Sequence, residues 1–225
     1  MALGYRGNPQ WRDMSEYVVH FVSGDEKQDG YQAIMGILSS GEVQARNAFG
    51  AARNLEALAG SQRSACFSEI PLDRLDRLVE RRGTRYGIGF RQDTITAAGG
   101  GRVWYTDRDS VPERAVRELI QAALQGGIDP ADPLWQITPF IDAPGEYGGV
   151  PYRFEWEREW RVPGGLHFPP DVVSFLMIPS KLHAAAREFF TQVRDENLGP
   201  AYCCPFVDPT WSDEQIQAAL NELPV

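Results

Sequence analysis

The segment Phe154-Glu155-Trp156-Glu157-Arg158-Glu159-Trp160-Arg161-Val162 sets carboxylates at every second position beside an arginine. On a strand, alternation puts Glu155, Glu157, Glu159 and Arg161 on one face, and Phe154, Trp156, Arg158 and Trp160 on the other. Same-face neighbours stand roughly 7 Å apart, close enough for like charges to raise one another's pKa on a partly buried face. Arg161 is placed to hold one of the carboxylates ionised. Such a row can stabilise developing positive charge; it can equally be a solvated outer face over a Trp-rich core. His20 with Ser23 is the second candidate, at the end of an apolar run and just before a helix. A histidine there serves either as a ligand-binding group or as a satisfied core residue.

The elements that must position these residues are readable from periodicity. Tyr17 to Ser23 is a β-branched and aromatic run that predicts a strand. Tyr31, Ile34, Ile37 and Leu38 share a helical face, which Ser39-Ser40-Gly41 ends. Residues 46–63 read as a mobile loop or short helix, and Ser64 to Ile70 as a strand. Pro71 opens a helix with Leu72, Leu75, Leu78 and Val79 on one stripe, stopped by Gly83. Strands follow at Arg85 to Arg91 and Arg102 to Thr106. The glycines at 99–101 make a turn, and no Gly-Lys-Ser/Thr follows to build a phosphate loop. From Pro112, the residues Ala115, Val116, Leu119, Ile120, Ala123 and Leu124 define a helix, closed by Gly126-Gly127. Residues 129–151 read as a long connection. Strands at Tyr152 to Val162 and Val172 to Ile178 precede a helix from Lys181 to about Asn197 and an amphipathic one near 213–223. Strands and helices mixed without regular alternation predict an α+β fold with a central mixed or antiparallel sheet flanked by helices.

Composition sets the bounds. The 225 residues, 43% apolar and 24% charged, suit one globular domain over 1–225, with a core at about 17–197. No apolar run approaches the roughly 20 residues that span a bilayer, and the start is polar, so a cytoplasmic protein with no membrane partner is expected. Cys66, Cys203 and Cys204 are an odd set that fits reduced thiols. The three scattered histidines give no zinc spacing, and no metal is expected. A net charge of −9 opposes non-specific attraction to nucleic acid. The cluster Arg81, Arg82 and Arg85 reads as a solvated helix end or as a local contact to a strand of nucleic acid.

Four segments together resemble the AbiGi-type abortive phage-resistance family over roughly residues 17–180. They are Cys66-Phe67-Ser68-Glu69-Ile70-Pro71-Leu72, Tyr86-Gly87-Ile88-Gly89-Phe90, Val103-Trp104-Tyr105 and Glu157-Arg158-Glu159-Trp160-Arg161-Val162. More distantly, His20, then Cys66-Phe67-Ser68, then Glu159 resemble in order the site of ADP-ribosyltransferases, including DarT-type enzymes. The resemblance implies an ADP-ribosyltransferase-like sheet, NAD as substrate, and transfer of ADP-ribose to a macromolecule, nucleic acid or protein. It assigns catalysis to Glu159 and His20. His20 would bind the adenosine-side ribose, Ser23 or Ser68 the nicotinamide-side ribose or amide, and Phe67 the nicotinamide ring. Cys66 stands where that superfamily often has Tyr, so Phe67 or Tyr105 would supply the missing ring. Arg46 or Arg53 would meet the pyrophosphate or the target through a guanidinium fork. The alternative implied by the AbiGi resemblance is a non-catalytic antitoxin or interaction protein acting with a toxin partner. A metal-dependent nuclease built on Glu155, Glu157 and Glu159 is a third reading.

Overall fold

The computed structural model describes residues 5–6, 8, 10–26, 28–69, 71–147, 150–152 and 157–221. Along the chain, β1 (Tyr17–Val22) is followed by α1 (Gly30–Ser40), whose start is a capping box. Asp29 accepts from the Gln32 N–H, and the Gln32 side chain accepts from the Asp29 N–H. Gly41, at φ 62°, ends it in the left-handed conformation. Then come β2 (Glu42–Val43), β3 (Asn47–Ala48), α2 (Ala59–Gln62), β4 (Arg63–Ser68), α3 (Leu75–Arg82), β5 (Tyr86–Arg91), α4 (Gln92–Ala97), β6 (Gly101–Arg102) and β7 (Trp104–Tyr105). The second half holds α5 (Val111–Gly126), α6 (Pro133–Ile137), β8 (Ile141–Asp142), β9 (Gly145–Tyr147), β10 (Val150–Tyr152), β11 (Glu159–Pro163) and β12 (Leu166–His167). It ends with β13 (Val173–Met177), α7 (His183–Asp195), β14 (Phe206–Val207) and α8 (Asp213–Asn221). The fold is mixed α+β, with a mostly antiparallel open sheet flanked by helices. Among the described residues no helix is long and apolar enough to cross a membrane.

Two compact units divide the chain, and neither is continuous in sequence. The first comprises Met1–Glu42, Phe67–Thr94 and His167–Val225. Its strands run in the order β14-β13-β5-β1-β4, antiparallel except for the β13–β14 pair. The Tyr-Gly-Ile-Gly-Phe run of β5 has a steric reason. A Cβ on Gly89 would stand 2.4 Å from the Phe175 ring, and one on Gly87 would stand 2.8 Å from Val19 Cγ1. Glycine lets the flanking strands' side chains close over the centre of the sheet. Tyr17, Val19, Leu75, Phe175, Met177 and Val207 form the core there, packed under Ile216 and Leu220 of α8.

The second unit comprises Val43–Cys66 and Ile95–Leu166. Its strands run β4-β11-β6, and β3 pairs with β4. α5 begins at Ser110, whose hydroxyl accepts from the Glu113 N–H, with Pro112 in its first turn. Val116, Ile120, Ala123 and Leu124 pack against Trp135, Ala52 and Leu58. The buried stripe is narrower than the periodicity predicts, because Ala115 is exposed and Leu119 is 56% exposed.

One expectation is extended in this unit and two change. Residues 46–63, read as a mobile loop or short helix, hold the short helix α2 and add β3 and a 3-10 turn before it, pinned where the Ala51 N–H donates to Thr138 O. Residues 129–151 contain α6 and three short strands rather than a bare connection. The strand expected over Arg102 to Thr106 is split, β6 pairing with β11 and β7 pairing in parallel with β8.

Candidate functional site

The strand expected over Tyr152 to Val162 is interrupted. Residues 153–156, with Phe154, Glu155 and Trp156, lie outside the described residues. Glu157 sits in a 3-10 turn and Arg158 has a φ of 47°, so regular alternation begins only at Glu159. Glu157 and Glu159 therefore do not continue one strand face.

From Glu159 onward the alternation holds and puts Arg161 on the same side. The Arg161 Nε donates to Glu159 Oε1 at 2.9 Å, and Nη2 donates to Oε2 at 3.0 Å. Arg161 is 0% exposed, yet every edge of its guanidinium is engaged. Nη1 donates to Pro139 O at 2.6 Å, Nη2 also reaches Asp142 Oδ2 at 2.9 Å, and Cζ lies 4.7 Å from the centre of the Phe49 ring. The parallel pairing of Tyr105 with Asp142 across β7 and β8 brings two further groups to the cluster. Tyr105 OH donates to Glu159 Oε2 at 2.6 Å. Arg53 closes the far side, its Nη2 donating to Asp142 Oδ1 and its Nε to Gly50 O at 3.0 Å. Gly50 has φ +83°, and a Cβ there would fall 1.9 Å from Thr138 O, so this turn admits only glycine.

Glu159, Arg161, Asp142 and Arg53 thus alternate in sign and sum to zero. Burial alone would push the Glu159 carboxyl up. The Arg161 charge and hydrogen bonds, with donors from Tyr105 and Cys66, outweigh burial and hold it below the usual carboxylate range. Glu159 is a buried carboxylate, 6% exposed, kept ionised at neutral pH.

Four residues singled out from sequence, Arg53, Tyr105, Glu159 and Arg161, meet in this second-unit network. The other four lie in the first unit. His20, half-buried on β1, has its ring 5.6 Å from that of Phe67. Phe67 is 1% exposed and also meets Phe90 edge-on at 5.8 Å, so its ring is part of the core. Ser68 is buried opposite Val19, and Ser23 is exposed one residue beyond the end of β1. Arg46 is exposed.

Asp142, the hinge of the network, is a residue that sequence reading missed. It lies on a two-residue strand inside a Pro- and Gly-rich stretch, where no periodicity is long enough to mark it. Among the described residues, no group of three or more His, Cys, Asp and Glu side chains gathers as a metal site would require. Comparison with family models, curated proteins and solved structures gave no match.

Proposed function

We propose that this chain is an ADP-ribosyltransferase-like phage-defence protein that moves ADP-ribose from NAD to a macromolecule, with Glu159 as its key carboxylate. The observation that carries the reading is the state of Glu159. It is a buried negative charge, fixed in direction by Arg161 and bonded to the half-buried Tyr105 hydroxyl. Cleaving NAD breaks the bond between ribose C1′ and the pyridinium nitrogen, and the electron pair leaves with nicotinamide. Positive charge then builds on the ribose, as in glycoside cleavage, and a preorganised carboxylate lowers that barrier. A nucleophilic atom of the acceptor bonds to C1′ and gives its proton to solvent. Arg161 is locked by four partners, and the half-buried Tyr105 supplies a side-chain hydroxyl donor to Oε2. A ribose hydroxyl that took its place would bond to the same Oε2.

The test is incubation with labelled NAD plus DNA, RNA and lysate protein, following label and free nicotinamide. Label on one acceptor class, lost in Glu159→Gln protein of equal folded fraction, supports the reading; absence of both label and nicotinamide release refutes it. A second reading, a non-catalytic antitoxin or interaction protein, is favoured by one specific feature. Both Glu159 oxygens already accept protein donors, as in a structural ion network. It predicts that NAD is left intact by the wild type.

A further inference from the structure

The second unit carries a cleft of about 310 Å³ beside α5. This volume lies within the range of small-ligand pockets, about 300–1,000 Å³. Its lining combines apolar Leu55, Val116 and Ile141 with two ion pairs, Arg53 with Asp142 and Arg117 with Glu113. The Arg53 side chain is 20% exposed and its partner Asp142 only 1%. Asp142 is also held on its other oxygen by Arg161 at 2.9 Å. Arg53 can therefore turn part of its fork toward a ligand without stranding a buried carboxylate, which keeps a fully buried guanidinium as partner. The Arg117 side chain, 56% exposed, is engaged through Nη2 with Glu113 one turn earlier on α5. Exposed pairs of this kind are worth only about 0–1 kcal/mol, so an acceptor-rich ligand competes for the fork on favourable terms. Two planar forks lining one cleft offer donors that match the oxygens of a phosphate group, and the aliphatic residues of the same lining offer a surface for a flat ring.

We propose that this cleft binds a small organic phosphate, its phosphate taken by Arg53 and Arg117 and its ring laid against Val116, Leu55 and Ile141. The proposal does not rest on the transferase reading.

Adenosine monophosphate is the probe, titrated by calorimetry into the full chain at low ionic strength. Saturable one-to-one binding is expected, with adenosine alone and inorganic phosphate alone each at least about tenfold weaker, since each lacks one half of the contacts. Arg117→Gln removes a charge-assisted contact from an exposed position and should weaken adenosine monophosphate about tenfold or more at an unchanged melting temperature. Gln121→Trp, another exposed α5 residue at the cleft, should block binding by filling it. No binding at millimolar probe, equal binding of inorganic phosphate, or binding unaffected by both substitutions would overturn the proposal. The isotherm needs no turnover, so a chain that releases no nicotinamide from NAD passes or fails this test on its own.

Discussion

Replacing Arg161 with Met removes the cation that brackets two buried carboxylates while keeping most of the side-chain volume. In the native cluster Glu159 and Asp142 balance Arg161 and Arg53; without Arg161 the group carries a net charge of −1, with Asp142 still paired to Arg53. Breaking a buried pair by removing one partner costs about 3–5 kcal/mol. For a chain of this size that corresponds to a fall in Tm of about 6–20 °C, at about 2–4 °C per kcal/mol.

The pH dependence gives the sharper signature. In the wild type the Glu159 pKa is depressed, so its stabilisation is present above the unfolded carboxyl pKa and is lost as pH falls through the folded one. In Arg161→Met, burial acts on Glu159 without a guanidinium and should raise its pKa above the unfolded value. The variant should then lose stability as pH rises, so the gap to wild type should widen from pH 4 to pH 7. Urea melts of both proteins across that range measure it, and Arg161→Met/Glu159→Gln should recover part of the loss at pH 7. A variant within about 2 °C of wild type, with a gap independent of pH, would refute the buried-charge account of the cluster.

Three further outcomes follow from the first unit. Gly89→Ala should destabilise by about 1–3 kcal/mol, because its Cβ meets the Phe175 ring at 2.4 Å, and adding Phe175→Leu should relieve part of that loss in thermal melts. Burial pushes the Cys204 thiol up to about 12, so Cys204 should stay unalkylated by iodoacetamide in the native protein at pH 8 and react once unfolded, as mass spectrometry would read. Burial acts to raise the Asp208 carboxyl, but N–H donors from Ser180 and Thr210, with Arg85 and the Thr210 hydroxyl, bring it far below the usual range. Asp208→Asn should therefore lose about 1.5–3 kcal/mol near neutral pH and show a flatter acid limb in pH-dependent melts, its wild-type contribution being lost only as pH falls through the depressed pKa.

Long periodic segments were legible in the sequence. Tyr17–Val22 and Tyr86–Arg91 stand as strands, and Val111–Gly126 as a helix that starts one residue before Pro112, because β-branched runs and apolar spacing report burial directly. A pairing of Arg161 with one carboxylate of the row was legible too, since it needs only two residues of alternation. Its limits were not: nothing in Phe154 to Arg158 announces the positive φ at Arg158 that breaks the row. Asp142 escaped because its burial depends on Tyr105 and Arg161, which reach it across the unit through pairings of two residues each. Phe67 was read as a surface for a ligand ring; its place is set instead by Phe90 and His20 packing against it. An aromatic residue on a strand looks the same in sequence whether its ring faces a ligand or a neighbour.

The most direct measurement of the central claim is nicotinamide release from NAD, in the presence of DNA, RNA and lysate protein, by wild type and Glu159→Gln at equal folded fraction. Loss of one preorganised charge on the transition state predicts a fall of about 100- to 1,000-fold, whereas equal rates for the two proteins, or no release by the wild type, would contradict a catalytic Glu159.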